Sequence, residues 1–251
     1  MLWNLRWKLI LLALMVVVFG LLAGVTLAEP ECGQTQLDND LGKKDLETYC
    51  ADPTMDAGTI RTIDDDRDGD FDQIFIGTKG GGTLFGVEEL DGRPEMELAV
   101  SDPTFPSARV RTADADSDGD VEVIWVGAQG LDLDKDGDFE IDEAGLIAGF
   151  ADMDGNGDPE IVIADKARSL GDYYVGGFGI DKENADRFEV LWIGILNDVQ
   201  RAAVGSIVSM SDADSDGDDE ALVLDLSRSP QENYLDVDLD GDADIIIGVE
   251  L

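Results

Sequence analysis

Six copies of one aspartate pattern constrain this chain more than any other feature of it. The first three are Asp64-x-Asp66-x-Asp68-Gly69-Asp70-x-Asp72, Asp114-x-Asp116-x-Asp118-Gly119-Asp120-x-Glu122 and Asp132-x-Asp134-x-Asp136-Gly137-Asp138-x-Glu140. The others are Asp152-x-Asp154-x-Asn156-Gly157-Asp158-x-Glu160, Asp212-x-Asp214-x-Asp216-Gly217-Asp218-x-Glu220 and Asp236-x-Asp238-x-Asp240-Gly241-Asp242-x-Asp244. Oxygen donors at alternate residues, with a Gly at position six to turn the chain sharply, form the donor set that a large, hard cation takes. Positions one, three, five and nine supply side-chain oxygens, and position seven supplies its carbonyl. Ca²⁺ fits such an all-protein oxygen cage better than Mg²⁺, which holds on to its waters. Without a cation, each like-charge pair about 4 Å apart costs about 1 kcal/mol in bulk water and more where the loop is desolvated.

The net charge of −40, from 57 acidic and 17 basic residues, follows largely from these loops. No basic stripe exists to neutralise phosphates, so nucleic acid is not an expected partner. A hydrophobic fraction of 43% is ordinary for a globular chain and argues against general disorder.

Residues 1–8 carry Arg6 and Lys8 and no acid, and Leu9 to Ala28 is an unbroken apolar run. Thr26-Leu27-Ala28 offers small residues where a signal peptidase cuts. Residues 1–28 therefore read as a cleaved secretory signal or as a retained membrane anchor over residues 9–28. Either choice puts the acidic portion outside the cytoplasm, secreted or at the cell surface, with membrane contact only through that segment. Cys32 and Cys50 are the only cysteines. An even count in an exported chain suggests a disulfide, and a reactive or metal-binding pair is the alternative. The disulfide would pin residues 29–57, whose polar stretch 34–49 reads as a short helix.

From residue 58 to 251 most loops sit between short apolar or alternating runs. Examples are Thr59–Ile63 before the first loop and Ile74-Phe75-Ile76 after it, or Val123–Val126 and Ile161–Ile163 after later ones. Runs this short, rich in β-branched residues and bounded by Gly and Asp, predict strands. The unit is strand, acidic turn, strand, and repeated units of this kind build propellers or solenoids.

Glu122-Val123-Ile124-Trp125-Val126-Gly127-Ala128 and Asp72-Gln73-Ile74-Phe75-Ile76-Gly77 resemble the second half of an FG-GAP or VCBS repeat, and these repeats are similar to the calcium-bearing blades of integrin α-subunits. The resemblance implies an all-β, propeller-like domain over 58–251, with calcium loops between strands. The triplet Gly-Ala-Pro of that family is absent. The loops start at Asp64, Asp114, Asp132, Asp152, Asp212 and Asp236. The gaps from Asp114 to Asp132, from Asp132 to Asp152 and from Asp212 to Asp236 are each too short for a four-stranded blade. The expected ring is thus small, irregular or incomplete. The third loop, Asp132 to Glu143, also fits the EF-hand pattern, with Glu143 at position twelve; Ala144-Gly145 breaks any exit helix, so an EF-hand-like loop between strands is expected. Glu89–Val100 resembles a repeat that has lost two loop residues. Tyr173, Tyr174, Phe178 and Trp192 lie in a stretch free of acidic loops, where they either pack the core or form a ligand-binding face.

Three functions are open at this level. The chain is a non-enzymatic calcium-stabilised module for adhesion or ligand binding, with an extracellular protein or glycan as partner; or a structural surface or stalk component; or part of an extracellular polysaccharide-acting enzyme. The absence of any His removes Ser-His-Asp, Cys-His and His-zinc chemistry, and no Gly-x-Ser-x-Gly elbow occurs, so catalysis is not expected.

Overall fold

The computed structural model describes residues 31–37, 46–67, 71–90, 95–117, 119, 121–132, 134–139, 141–176, 190–197, 202–203, 205–212, 215–225, 233–237 and 243–248. The chain divides into Met1–Glu31 and Cys32–Leu251. The expected signal or anchor helix over residues 1–28 lies outside the described residues.

Every described element is a β-strand. Sheet one holds β1 (Glu31–Thr35), β2 (Glu47–Asp56), β3 (Ile60–Ile63) and β4 (Gln73–Lys79); sheet two holds β5 (Thr83–Glu88), β6 (Glu97–Asp102), β7 (Val110–Ala113) and β8 (Val123–Gly127). A short hairpin follows, β9 (Gln129–Leu131) with β10 (Ile141–Glu143). Sheet three holds β11 (Gly145–Ala151), β12 (Glu160–Ser169), β13 (Tyr173–Val175) and β14 (Val190–Asn197), with β15 (Ala202–Ala203) on β14. Sheet four holds β16 (Gly205–Ser211), β17 (Glu220–Asp225), β18 (Asn233–Leu235) and β19 (Ile245–Gly248).

All four sheets share one topology. Sheet one runs β1-β2-β4-β3, and the others repeat that order. The β3–β4 pair and both outer pairs of sheets two, three and four are antiparallel, and every central pair is parallel, as in Leu98↔Val123 and Val100↔Trp125 of β6 and β8. Each sheet is therefore two hairpins laid side by side, joined through their second strands. A propeller blade is a different object, a four-stranded sheet repeated radially around a channel. The parallel centre, the shared strand order and the stacking described below overturn the propeller expectation: the sheets stack as coils of a β-solenoid.

The stacking follows from the period-two alternation of the central strands. In β8, Val123 and Trp125 face sheet one, where they join Ile74 and Ile76; Ile124 and Val126 face the other way and meet Ile161, Ile163, Val190 and Trp192 of sheet three. In β12 and β14, Val162, Ala164, Leu191 and Ile193 turn to sheet four and pack on Ala221, Val223, Ile245 and Ile247. Inner sheets are thus apolar on both faces, which is why their strands appear as continuous apolar runs. Ile163 is fully buried between two sheets. Ile163→Ala is expected to cost about 3 kcal/mol in a denaturant melt, as truncation in a close-packed core does.

The doubled hairpin also accounts for the irregular loop spacing. The closely spaced loops that start at Asp212 and Asp236 belong to the two hairpins of one sheet. The short gaps on either side of Asp132 arise because the hairpin β9–β10 is inserted between sheets two and three. A stretch expected to be helical, 34–49, is strand at both of its described ends. Cys32 and Cys50 form a disulfide joining β1 to β2. For a closed loop of this size, its loss is expected to lower stability by about 3 kcal/mol, measured as a shift in denaturation midpoint on reduction.

Candidate metal centres

Each acidic loop closes a hairpin, and among the described residues the backbone of four of them turns at two left-handed positions. Position four has positive φ in Arg67, Ser117, Lys135, Gly155 and Ser215, at 65°, 73°, 65°, 65° and 73°. Position six has it in Gly119, Gly137, Gly157 and Gly217, at 97–123°. A Cβ at Gly119, Gly137 or Gly217 would meet nothing within 4 Å, so the demand for Gly there is conformational and not spatial. Sequence reading finds the Gly at six and misses position four, where non-Gly residues accept the strained region.

The position-one carboxylate fixes this turn. Asp132 accepts from the N–H groups of Lys135 at 2.6 Å and Gly137 at 3.0 Å, while Ser215 N–H donates to Asp212 at 2.6 Å. Position five accepts from position seven, as in Asp138 N–H to Asp136 at 3.0 Å and Asp158 N–H to Asn156 at 2.7 Å. The acid at position nine reaches back to the N–H of position two: Asp65 donates to Asp72 at 2.5 Å and Met153 to Glu160 at 2.8 Å. Ala115 to Glu122 and Val237 to Asp244 repeat that contact.

The turns bring carboxylates together in five groups among the described residues. They are Asp64, Asp66 and Asp72; Asp114, Asp116 and Glu122; Asp132, Asp134 and Asp136; Asp152, Asp154 and Glu160; and Asp212, Asp216 and Glu220. Within each group the ligand oxygens all lie within 4.8 Å of one another. Other residues of the expected set, Asp68, Asp70, Asp118, Asp120, Glu140, Asp214, Asp238, Asp240 and Asp242, lie outside the described residues. Of the sixth loop, Asp236 and Asp244 are described. Glu143 sits exposed at the end of β10, paired with Gln129, and is not in the third group.

The fit to a cation is tested most directly at the fourth loop. Asp152 Oδ1 is buried and has no hydrogen-bond partner, while its Oδ2 accepts from Gly157 N–H at 2.9 Å. A buried carboxylate oxygen left without a donor is costly unless a positive charge faces it. The donor set there, two Asp and one Glu, is all hard oxygen and suits an alkaline-earth ion. These several Asp-rich groups could hold metal ions.

Burial, with the Asp154 and Asp152 charges beside it, raises Glu160 to about 9; burial, with Asp116 and Asp114, raises Glu122 to about 8. Both groups have folded-state values above the unfolded value near 4.5. The folded chain then binds more protons than the unfolded chain between about 4.5 and about 9, so their contribution is fully present below 4.5 and is lost as pH rises through 8–9. In chelator, melting temperature is expected to fall from pH 5 to pH 9, and saturating cation is expected to flatten that fall, because a bound ion holds the carboxylates deprotonated. Glu160→Gln keeps an acceptor for Met153 N–H and removes the charge. It is expected to remove one equivalent of bound cation and to raise the chelated protein's melting temperature at pH 7, because the folded state no longer has to hold a proton that the unfolded chain releases.

Two hairpins keep the closing acid where the sequence lacks the full aspartate motif. Leu37 N–H donates to Glu47 at 2.5 Å in sheet one, and Leu90 N–H to Glu97 at 2.6 Å in sheet two. Glu47 and Asp72, Glu97 and Glu122, and Glu220 and Asp244 are thus matching residues of paired hairpins, separated by nearly the same length of chain in sheets one, two and four. That near-constant spacing is a sequence signal for the doubled hairpin. Comparison with known proteins finds no matching family model, no similar curated protein and no similar solved structure, so the FG-GAP, VCBS and integrin-like resemblance has no support beyond the loops themselves.

Proposed function

We propose that this chain is an extracytoplasmic calcium-binding repeat protein, non-enzymatic, in which Ca²⁺ holds the hairpin turns and the stacked sheets present an adhesion or ligand-binding surface. The observation that carries the reading is the recurrence of one carboxylate cage at five hairpin turns. The Cys32–Cys50 disulfide is consistent with an oxidising compartment outside the cytoplasm, as a secreted chain or one held by residues 9–28. Its partner is an extracellular protein or glycan. Calorimetric titration of the cation-free protein tests the calcium assignment. Several Ca²⁺ are expected to bind with dissociation constants of about 10⁻⁴–10⁻³ M, as in extracellular modules, with Mg²⁺ far weaker. Equal affinity for the two ions, or none for Ca²⁺, would refute it.

A further inference from the structure

The two outer faces of the sheet stack differ in chemistry. Along the central strands, residues alternate between a face turned to the preceding sheet and a face turned to the following one. The following face carries Ile74 and Ile76 in sheet one, Ile124 and Val126 in sheet two, and Val162, Leu191 and Ile193 in sheet three, all buried under the next sheet. In sheet four, Ile245 and Ile247 are buried against sheet three, so the alternation turns Leu222, Leu224 and Ile246 to the opposite side. One row of that side runs Ser209, Leu222, Ile246, Tyr234 from edge to edge. Leu222, Leu224 and Ile246 are partly exposed, and Tyr234 is 58% exposed. Among the described residues no further sheet lies on this side.

The outer face of sheet one has the opposite character. Ile74 and Ile76 are buried under sheet two, which leaves Gln73 and Phe75 outward, with Thr48 and Cys50 as their neighbours on β2. Thr48 accepts from Gln34 Nε2 at 3.2 Å, and Gln73 Nε2 donates to Asp65 at 2.5 Å. The Arg61 guanidinium covers the Phe75 ring, 4.3 Å from its centroid, and the Cys32–Cys50 disulfide lies on the same side. Sheet one is thus finished as polar caps finish a repeat array, and sheet four is not. A contiguous apolar face of this kind marks an interaction surface.

We propose that the open face of sheet four is a self-association surface, on which a second copy of this chain packs sheet four against sheet four. The contact continues between chains the packing that joins sheets three and four within one, aliphatic row on aliphatic row. A head-to-tail contact is disfavoured, because sheet one offers Gln73, Thr48 and Arg61 outward; the contact is therefore isologous and stops at a dimer. Each copy carries a net charge of −40, so long-range repulsion opposes the contact and keeps it weak. The surface belongs to the fold and not to the acidic turns. Sedimentation equilibrium of the exported protein, in saturating Ca²⁺ and at low and high salt, is the test. A reversible monomer–dimer equilibrium is expected, with a dissociation constant of about 10–100 µM that tightens at high salt as the repulsion is screened. Leu222→Thr and Ile246→Thr are each expected to weaken it about ten-fold or more, since an isologous contact counts each substitution twice. Both keep a strand-favouring residue at a partly exposed position, so melting of the dilute monomer is expected to stay near that of the parent. Tyr234→Ser, on an edge strand, is an independent variant should either central substitution impair folding. Gln34→Glu, on the sheet-one face, is expected to leave the equilibrium unchanged. The proposal is overturned by a chain that stays monomeric up to about 1 mM, by growth beyond the dimer, by a dimer unmoved by the Leu222, Ile246 and Tyr234 substitutions, or by one weakened equally by Gln34→Glu. Association carried by the apolar run 9–28 shows as the third of these results.

Discussion

Chelation of a calcium-loaded sample is expected to lower its melting temperature by at least about 10 °C, or to unfold it outright near room temperature. At about 5 mM free Ca²⁺, a site with a dissociation constant of about 10⁻⁴–10⁻³ M contributes about 1–2 kcal/mol to the folded state. Five such groups are formed by the described turns. Together they would supply about 5–10 kcal/mol, comparable with the entire stability of an ordinary domain, and each kcal/mol shifts melting by about 2–4 °C in a chain of this size. Removing the ions also restores carboxylate repulsion in every turn. Differential scanning calorimetry with and without EDTA measures the shift. High salt is a useful control, since screening relieves repulsion at exposed turns such as Asp132–Asp136 more than at the buried Glu122 and Glu160.

Gly127→Val is expected to destabilise the protein by about 3 kcal/mol or more, through overpacking against backbone that cannot yield. A β-carbon at Gly127 would overlap the Pro106 carbonyl, where the connection from β6 to β7 crosses β8. Gly77 meets the Asp56 carbonyl and Gly194 the Ser169 carbonyl in the same way. The crossing backbone is bonded at each place: Gly77 N–H to Thr59, Gly127 N–H to Arg109 and Gly194 N–H to Asp172, at 2.8, 2.9 and 2.8 Å. One substitution thus disrupts a feature that recurs in three sheets. Gly137→Ala is the instructive contrast. Its site has open space and a φ of 106°, so its cost is conformational strain of about 1–2 kcal/mol, with the loss concentrated in cation binding at the third loop. Denaturant melts of both variants, each with and without Ca²⁺, separate crowding from turn strain.

The turns and the strands beside them are legible in the sequence because local chemistry dictates them. An Asp at every second residue and a Gly at position six specify the turn, and Ile161-Val162-Ile163 can only be a strand buried on both faces. The sheet order is not legible in the same way. Pairing β6 in parallel with β8 depends on contacts between segments that β7 and an acidic loop separate in sequence, and no local pattern near Leu98 or Val123 announces it. The propeller expectation failed at that point: the loop spacing excludes one acidic turn per four-stranded blade but does not reveal that a sheet is two hairpins, either of which carries a turn. Glu47 keeps the closing hydrogen bond where the sequence lacks the full aspartate motif, which hid the first hairpin of sheet one, while Glu89–Val100 marks the matching hairpin of sheet two. Trp192 illustrates a further limit, since one ring both fills the core between sheets two and three and lines a cavity.

The most direct measurement is the metal content of the folded chain. Protein dialysed to equilibrium against about 5 mM Ca²⁺ and assayed together with its dialysate by elemental mass spectrometry should carry about five Ca²⁺ per chain in excess of the dialysate, falling by one in Glu160→Gln. A folded, monodisperse chain that holds no calcium beyond that of the dialysate, or whose calcium content is indifferent to Glu160, would contradict the assignment of the acidic turns as the ions' binding sites.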